Sequence, residues 1–253
     1  MLAGPALAAP VADDGVATAL VVSVDVSGSV DDARFRLQME GIAEALEDAA
    51  VLRAVLGSPG GIYFSMVTWA DEASLAVGWR RIATRADALA TAAEVRALPR
   101  RKGDFTCVGR MMSTITASVI PALPVAADRV VVDVSGDGGD NCSDPDAIRQ
   151  QREALLATGA TVNGLPILVP GENDVVGAGA YRAPGYGLRE MPIQEDRRVG
   201  LEQWYRANVV GGPSAFLLAA QGYRDFSRAL RQKFVIEIGM LESPSPPPLV
   251  AGR

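Results

Sequence analysis

The chain has 253 residues, 49% of them hydrophobic, and a formal net charge of −6. This length and apolar content suffice for one sizeable core, and the acidic balance argues against a nucleic-acid partner, which would favour a basic face. Histidine is absent, which excludes serine–histidine and cysteine–histidine catalysis and imidazole-based metal sites.

Residues 1–16 resemble the end of a secretory signal. They are rich in alanine and contain an Ala-x-Ala pattern, but they lack the basic start and most of the apolar stretch of a complete signal peptide. We expect a leader or signal-peptide remnant here, or otherwise a plain disordered leader. No apolar run in the sequence reaches the roughly 18 residues that a transmembrane helix needs.

Apolar and amphipathic segments alternate along the rest of the chain. Continuous apolar runs predict core strands over 17–26, 129–135 and 161–169. Two further strands, over 62–70 and 74–82, are joined by a short turn and should therefore be antiparallel. Helical spacing predicts helices over 32–56, 85–98, 109–120, 145–159, 201–207 and 223–238. Residues 215–219 are predicted to form a short strand.

This alternation predicts an α/β fold. We expect a doubly wound, mostly parallel central sheet with one antiparallel edge strand and helices on both faces. A single domain should span residues 17–240, with the Gly- and Pro-rich segment 170–199 as a loop insertion and residues 241–253 as a Pro-rich disordered tail. In such folds, ligands bind outside the carboxyl ends of the strands.

Polar residues follow several of the predicted strand ends. The first strand ends in Asp-Val-Ser-Gly-Ser at residues 25–29, a carboxylate and two hydroxyls of the kind that Mg²⁺ requires. A plain turn, with Ser29 or Asp31 capping the next helix, is the alternative. Asp137 follows another core strand and Thr106 precedes a helix. We expect these three loops to meet on one rim of the sheet.

The three loops resemble the metal-ion-dependent adhesion site (MIDAS) of the von Willebrand factor type A (VWA) domain. The matching residues are Asp25, Ser27 and Ser29 on the first loop, Thr106 on the second and Asp137 on the third. A closer resemblance is to a bacterial, usually exported and largely uncharacterised branch of that family, through residues 132–138, 163–167, 205–213 and 215–216. The resemblance covers about residues 17 to 240.

The resemblance implies a division of labour at a metal site. Ser27 and Ser29, and Thr106 at least in the ligand-bound state, would bind the metal through their hydroxyls, and Asp25 and Asp137 would act mainly through waters and hydrogen bonds. An Asp or Glu of a partner protein would fill an open position. Mg²⁺ suits such a site, with Mn²⁺ or Ca²⁺ as alternatives. The implied function is a non-enzymatic, adhesion-type binding module, periplasmic or secreted, of unknown oligomeric state.

Other kinds of function stay open on the sequence. A metal-assisted hydrolase would use the dication to activate water, although no base of unusual character and no second metal cluster can be identified. A structural scaffold of a cell-envelope assembly would leave the metal site incidental. A calcium-binding EF-hand loop from Asp133 nearly fits in spacing, but such a loop follows a helix, and residues 129–135 have the sequence of a strand.

Two further features lie close to the predicted rim. Cys107 follows the second loop and Cys142 the third, and they are compatible with one disulfide in an oxidising compartment or with two buried thiols. If the loops converge on one metal, a disulfide would tie them together. In the 170–199 insertion, Tyr181, Arg182 and Tyr186 are candidate partner contacts, and a variable surface loop is the alternative.

Overall fold

A mostly parallel five-stranded sheet forms the centre of the computed structural model, which describes residues 15–176, 180–182, 188–190 and 198–239. The strands of this sheet are β1 (Val16–Asp25), β2 (Ile62–Trp69), β3 (Ala73–Ile82), β4 (Ala127–Gly136) and β5 (Thr161–Pro166). Their order is β3-β2-β1-β4-β5. All neighbours are parallel except β2 and β3, so the predicted fold class, with its antiparallel edge strand, is confirmed.

Helices cover both faces of the sheet. Those in the described residues are α1 (Asp32–Glu47), α2 (Ala49–Gly57), α3 (Arg85–Arg96), α4 (Val108–Thr114), α5 (Pro145–Ala157), α6 (Leu201–Asn208) and α7 (Phe226–Gly239). A π-helical turn, Ile115–Val119, extends α4, and a 3₁₀ turn, Tyr223–Asp225, precedes α7. None of the described helices is long and apolar enough to cross a membrane.

Two hydrophobic cores result, one on each face of the sheet. Leu20, Val22 and Val24 of β1 pack with residues of α1, α2, α3 and α7. Val21, between them, packs with residues of α4, α5 and α6 instead. Successive side chains of a strand point to opposite faces, so a strand buried on both sides is apolar throughout. This explains why β1 has a continuous apolar sequence.

The helix predicted over 32–56 is divided into α1 and α2 at Asp48. The backbone of Asp48 is extended, with φ −63° and ψ 136°. Its carboxylate accepts hydrogen bonds from the backbone N–H groups of Ala50 (2.8 Å) and Val51 (3.2 Å). Asp48 is therefore the N-cap of a new helix, and the prediction of one continuous helix was wrong.

The strand predicted over 215–219 is not a regular strand. Only isolated bridges join this segment to the edge of the sheet, between Gly164 and Leu217 and between Ile167 and Ala220. The backbone N–H of Phe216 donates to the side-chain Oδ1 of Asn163 (2.9 Å), and a proline such as Pro166 has no N–H to donate. These two features interrupt the hydrogen-bond ladder.

The insertion after β5 contains a short hairpin. Strand β6 (Ala180–Arg182) pairs antiparallel with β7 (Leu188–Glu190), and Val176 and Val199 form an isolated antiparallel bridge. Tyr181 and Arg182 lie in β6, but their side chains are outside the described part of the chain, as is all of Tyr186. Nearly all of the predicted leader, residues 1–14, and the tail from 240 onward are also outside it.

Candidate metal centre

The carboxyl ends of β1 and β4 bring the predicted loops together on one rim of the sheet. Asp25 is the last residue of β1, and Asp137 directly follows β4. The two strands are parallel neighbours, with Val24 beside Ser135 in the register. Thr106 lies just before α4. Of the five predicted metal-site residues, only Ser29 is exposed.

Four of these five residues are linked by contacts between their side-chain oxygens. Thr106 Oγ1 donates to Ser27 Oγ at 3.3 Å, and Ser27 Oγ lies 3.3 Å from Ser29 Oγ. Ser29 Oγ donates to Asp137 Oδ1 at 2.6 Å. The structure therefore gathers the predicted residues of all three loops into a single cluster of oxygen atoms.

Asp25, the fifth predicted residue, is buried and contacts the backbone of the first loop. Its Oδ1 accepts a hydrogen bond from the backbone N–H of Ser27 (2.8 Å), which fixes the turn. Its Oδ2 is buried and has no hydrogen-bond partner in the described part of the structure. Burial and the charge of Asp137 raise the pKa of Asp25 to about 8, because two buried carboxyl groups disfavour each other's ionised forms.

The residues present fit a hard divalent cation. All the donors are oxygens, and a dication would stabilise the two neighbouring carboxylates. Neighbouring ligand oxygens of an octahedral ion lie about 2.8–3.0 Å apart for Mg²⁺ and about 3.3–3.7 Å apart for the longer Ca²⁺–oxygen distances. Both hydroxyl separations are 3.3 Å, so the hydroxyls need to move closer by only a few tenths of an ångström to bind Mg²⁺. The described residues contain no cluster of three or more His, Cys, Asp or Glu side chains suited to a metal, so hydroxyls must supply much of any coordination.

Tyr223 and Arg34 support this cluster, and neither was predicted from the sequence. The hydroxyl of Tyr223 donates to Asp137 Oδ2 at 2.8 Å. Arg34 Nη1 lies 3.6 Å from the same oxygen and donates to the backbone carbonyl of Ser29 at 2.9 Å. The guanidinium also lies over the Tyr223 ring, 5.1 Å from its centroid. Both residues are distant in sequence from Asp137, so no local pattern could have identified their contacts with it.

Arg34 also contacts the segment that follows β5. Its Nη2 forms an ion pair with Glu172 Oε1 at 2.6 Å. The neighbouring Asn173 is buried, and its Nδ2 donates to the backbone carbonyls of Asp137 (2.7 Å) and Ile167 (2.8 Å). The beginning of the 170–199 insertion therefore contacts the metal-site rim, as expected for a loop that follows a parallel strand.

A disulfide between Cys107 and Cys142 joins the second and third loops, with 4.9 Å between the two Cα atoms. The predicted disulfide is thus present. Beside it, the backbone N–H of Thr106 donates to Asn141 Oδ1 at 2.8 Å. Asp140 accepts hydrogen bonds from the backbone N–H groups of Gly109 in α4 and of Cys142 and Ser143 in its own loop, which is the role of a turn residue. Burial raises its pKa, and these hydrogen bonds oppose the shift.

Comparison with known proteins identifies the family of this chain. The model of a family described as "Protein of unknown function (DUF1194)" matches residues 15–242. No curated protein is significantly similar in sequence.

Among solved structures, the chain is similar to proximal thread matrix protein 1 (PTMP1) from the mussel byssus, at 13% identity and a TM-score of 0.59, over 89% of this chain and 49% of that chain. Another PTMP1 structure has a zinc-occupied MIDAS motif. A von Willebrand factor type A protein from Catenulispora acidiphila is 15% identical, with a TM-score of 0.57, over 88% and 43% of the two chains.

The pilus adhesin SpaC from Lactobacillus rhamnosus GG is also similar, at 13% identity and a TM-score of 0.59, over 87% of this chain and 30% of that chain. The chain thus spans about half or less of the length of each of these proteins. At such identities the likeness shows the VWA-like fold alone.

Proposed function

We propose that this chain, which belongs to the family described as "Protein of unknown function (DUF1194)", is a non-enzymatic protein-binding module with a MIDAS-type metal site. When bound, a dication, which we expect to be Mg²⁺ with Mn²⁺ or Ca²⁺ as alternatives, would offer a coordination position to an Asp or Glu carboxylate of a partner protein. The observation that carries this proposal is the buried oxygen cluster on the rim, in which one carboxylate oxygen has no hydrogen-bond partner among the described residues.

Each residue of the cluster has a distinct role in this proposal. The hydroxyls of Ser27, Ser29 and Thr106 are the metal-binding groups. Asp25 orients the first loop through the backbone N–H of Ser27, and Asp137 orients Ser29 through its hydroxyl. Since Ser29 is exposed, the cluster is accessible to a partner from the solvent.

The composition of the site favours a binding role over catalysis. The chain contains no histidine, and the carboxyl groups of the oxygen cluster, those of Asp25 and Asp137, both hold the loops. Two of the structurally similar proteins are named as a pilus adhesin and as a matrix protein with a zinc-occupied MIDAS motif, which supports the proposal by analogy. The disulfide supports a periplasmic or secreted location, because disulfides persist in oxidising compartments.

The insertion that begins beside the metal site provides candidates for partner selection. Asn173 fastens its first residues to the third loop, so the segment that follows starts at the rim. Tyr181, Arg182 and Tyr186 remain the proposed contacts, because amphipathic and cationic side chains of this kind are enriched in protein interfaces.

Calorimetric titration with Mg²⁺, Mn²⁺ and Ca²⁺ tests the metal site. We expect saturable binding by the natural protein and none by the Ser27→Ala, Ser29→Ala double variant. A matched control is Ser74→Ala, which removes a half-buried hydroxyl from the start of β3, outside the three loops. If all three proteins bind these ions equally, or none binds them, the proposal is wrong.

A peptide array tests the partner chemistry. Each peptide with one exposed Asp or Glu is paired with an otherwise identical peptide that has Asn or Gln, and the array is probed with the protein in Mg²⁺ and in EDTA. We expect binding that needs both the carboxylate and Mg²⁺. Binding that persists in EDTA, or that does not distinguish acid from amide, would support the scaffold alternative.

A further inference from the structure

A second charged cluster is buried away from the metal-site rim, between β4 and α7. It consists of Asp133 from β4 and of Lys233 and Glu237 from α7, each at most 2% exposed. Lys233 Nζ lies 3.0 Å from Glu237 Oε1 and 3.4 Å from Asp133 Oδ1. The same nitrogen lies 4.4 Å from the centroid of the Phe216 ring. An amine and two carboxyl groups are therefore in contact at a buried position.

As ions, these groups are poorly satisfied. Apart from the ion pairs that Lys233 Nζ makes with the two carboxyl groups, neither this nitrogen nor either oxygen of Asp133 has a hydrogen-bond partner among the described residues. Glu237 Oε1 accepts one from Asn163 Nδ2 at 2.8 Å, and Glu237 Oε2 has none among them. Buried ions are expensive unless their geometry is excellent and every polar atom is paired. An arrangement that neutralises Lys233 and Asp133 would remove this cost.

We propose that Lys233 and Asp133 condense to form an intramolecular isopeptide bond, with Glu237 as the proton-transfer group. Proton transfer from the Lys233 ammonium to the Asp133 carboxylate first gives a neutral amine and a carboxylic acid. The amine then attacks Cγ of the acid, and a C–N bond forms. Glu237 accepts a proton from the nitrogen and returns it to the departing hydroxyl. The C–O bond then breaks and one water molecule leaves. The reaction is redox-neutral and needs no co-reactant.

The surroundings favour each part of this reaction. Burial and the charge of Glu237 raise the pKa of Asp133 to about 8, so that the protonated acid is accessible near neutral pH. A cavity of about 340 Å³ is lined in part by Glu237, Asn163 and Phe216, which provides room for the released water. In the product, the new amide N–H can donate to Glu237, and the cluster loses one positive and one negative charge.

The bond would join α7 covalently to the middle of the sheet. It would close a loop of about 100 residues between positions 133 and 233, and a crosslink stabilises mainly by restricting the unfolded chain. This inference does not depend on the metal site, because none of its groups belongs to the oxygen cluster on the rim.

Intact-mass measurement of the full chain, denatured and with its disulfide reduced, tests the proposal. We expect the natural protein to be lighter than its sequence by the mass of one water molecule. A tryptic digest should contain a branched peptide that joins residues 130–149 to residues 232–253. The Lys233→Arg variant has no primary amine at this position, and should have the full mass and no branched peptide.

A Glu237→Gln variant tests the proton transfer, and should retain the full mass or lose water only slowly. The mass of the natural protein and of Lys233→Arg decides the question even if this variant fails to fold. A full mass for the natural protein overturns the proposal. A water loss that persists in Lys233→Arg overturns it as well, because a succinimide at Asp137-Gly138 would have the same mass change without a branched peptide.

Discussion

Replacing Asp25 with asparagine should stabilise the metal-free protein and remove its response to metal. Burial and Asp137 raise the pKa of Asp25 from its ordinary value of 3.8 to about 8. At pH 7 the unfolded chain carries an ionised Asp25, and the native state must take up a proton. About three pH units separate 3.8 from 7, so this uptake costs about 4 kcal/mol at roughly 1.4 kcal/mol per unit.

Asparagine avoids this cost but introduces another. The Oδ1 atom of the introduced asparagine can still accept the hydrogen bond from the backbone N–H of Ser27. The amide nitrogen would take the place of Asp25 Oδ2, which lacks a hydrogen-bond partner among the described residues. Leaving a buried polar group unpaired costs about 1–3 kcal/mol. We therefore expect Asp25→Asn to raise the free energy of unfolding in EDTA at pH 7 by about 2 kcal/mol, or the melting temperature by about 4–8 °C.

Urea denaturation followed by tryptophan fluorescence, in EDTA and in Mg²⁺, measures both effects. In EDTA the free energy of unfolding of the natural protein should fall as pH rises from about 4 to 8, because the native state keeps a proton that the unfolded chain releases. The variant lacks this dependence, so its advantage grows over the same range. In Mg²⁺ only the natural protein should gain stability.

A substitution of an exposed aspartate serves as the control. Asp128→Asn, at an exposed position in β4, changes the net charge equally and should leave both stability and metal response nearly unchanged. If Asp25→Asn is less stable than the natural protein in EDTA at pH 7, the assignment of a destabilising buried carboxyl group is wrong. If both proteins gain equally from Mg²⁺, Asp25 has no part in the metal site.

Three further substitutions test the supports of the site. Tyr223→Phe removes a hydrogen bond to the Asp137 carboxylate, and a bond of this kind contributes about 1.5–3 kcal/mol. We expect the Mg²⁺ affinity measured by calorimetry to fall about tenfold. An unchanged affinity would show that Tyr223 does not support the metal site. Alanine at Gly136 would place its Cβ 2.8 Å from a tyrosine hydroxyl and 2.9 Å from a carboxylate oxygen. Such overpacking should lower the free energy of unfolding by about 1–3 kcal/mol, whereas Gly57→Ala, with no atom within 4 Å, should not; equal effects would refute the steric argument. Replacing Cys107 and Cys142 with serine removes a crosslink between positions 35 residues apart. The free energy of unfolding, measured by urea denaturation, should fall by about 3–4 kcal/mol. A loss of less than about 1 kcal/mol would show that other contacts hold the two loops.

The sequence was sufficient to predict the architecture and the residues that gather on the rim. Continuous apolar runs marked the strands buried on both faces, and polar residues at their ends marked where the loops begin. The antiparallel pairing of β2 and β3 followed from the short turn between them. These features are local, and local patterns can be recognised in a single sequence.

Features that depend on contacts between distant segments were not predicted. Tyr223, Arg34 and Asn173 reach the third loop from three separate parts of the chain. The division of the first helix at Asp48 was missed because the apolar periodicity continues across it, although an aspartate before two alanines could have been read as an N-cap. The interrupted ladder along residues 215–220 depends on a side-chain acceptor, Asn163, in the neighbouring strand.

The sequence Asp-Val-Ser-Gly occurs twice in the chain, at residues 25–28, where β1 ends, and at residues 133–136, within β4. The two aspartates have different surroundings. In β1 the aspartate is the last residue of the strand, beside the oxygen cluster. In β4 the aspartate lies beside Val22, three residues deeper in the sheet, facing Lys233. A search for these four letters alone would match both copies. Only the position of each copy along its strand places one aspartate beside the oxygen cluster on the rim and the other in the interior, beside Lys233.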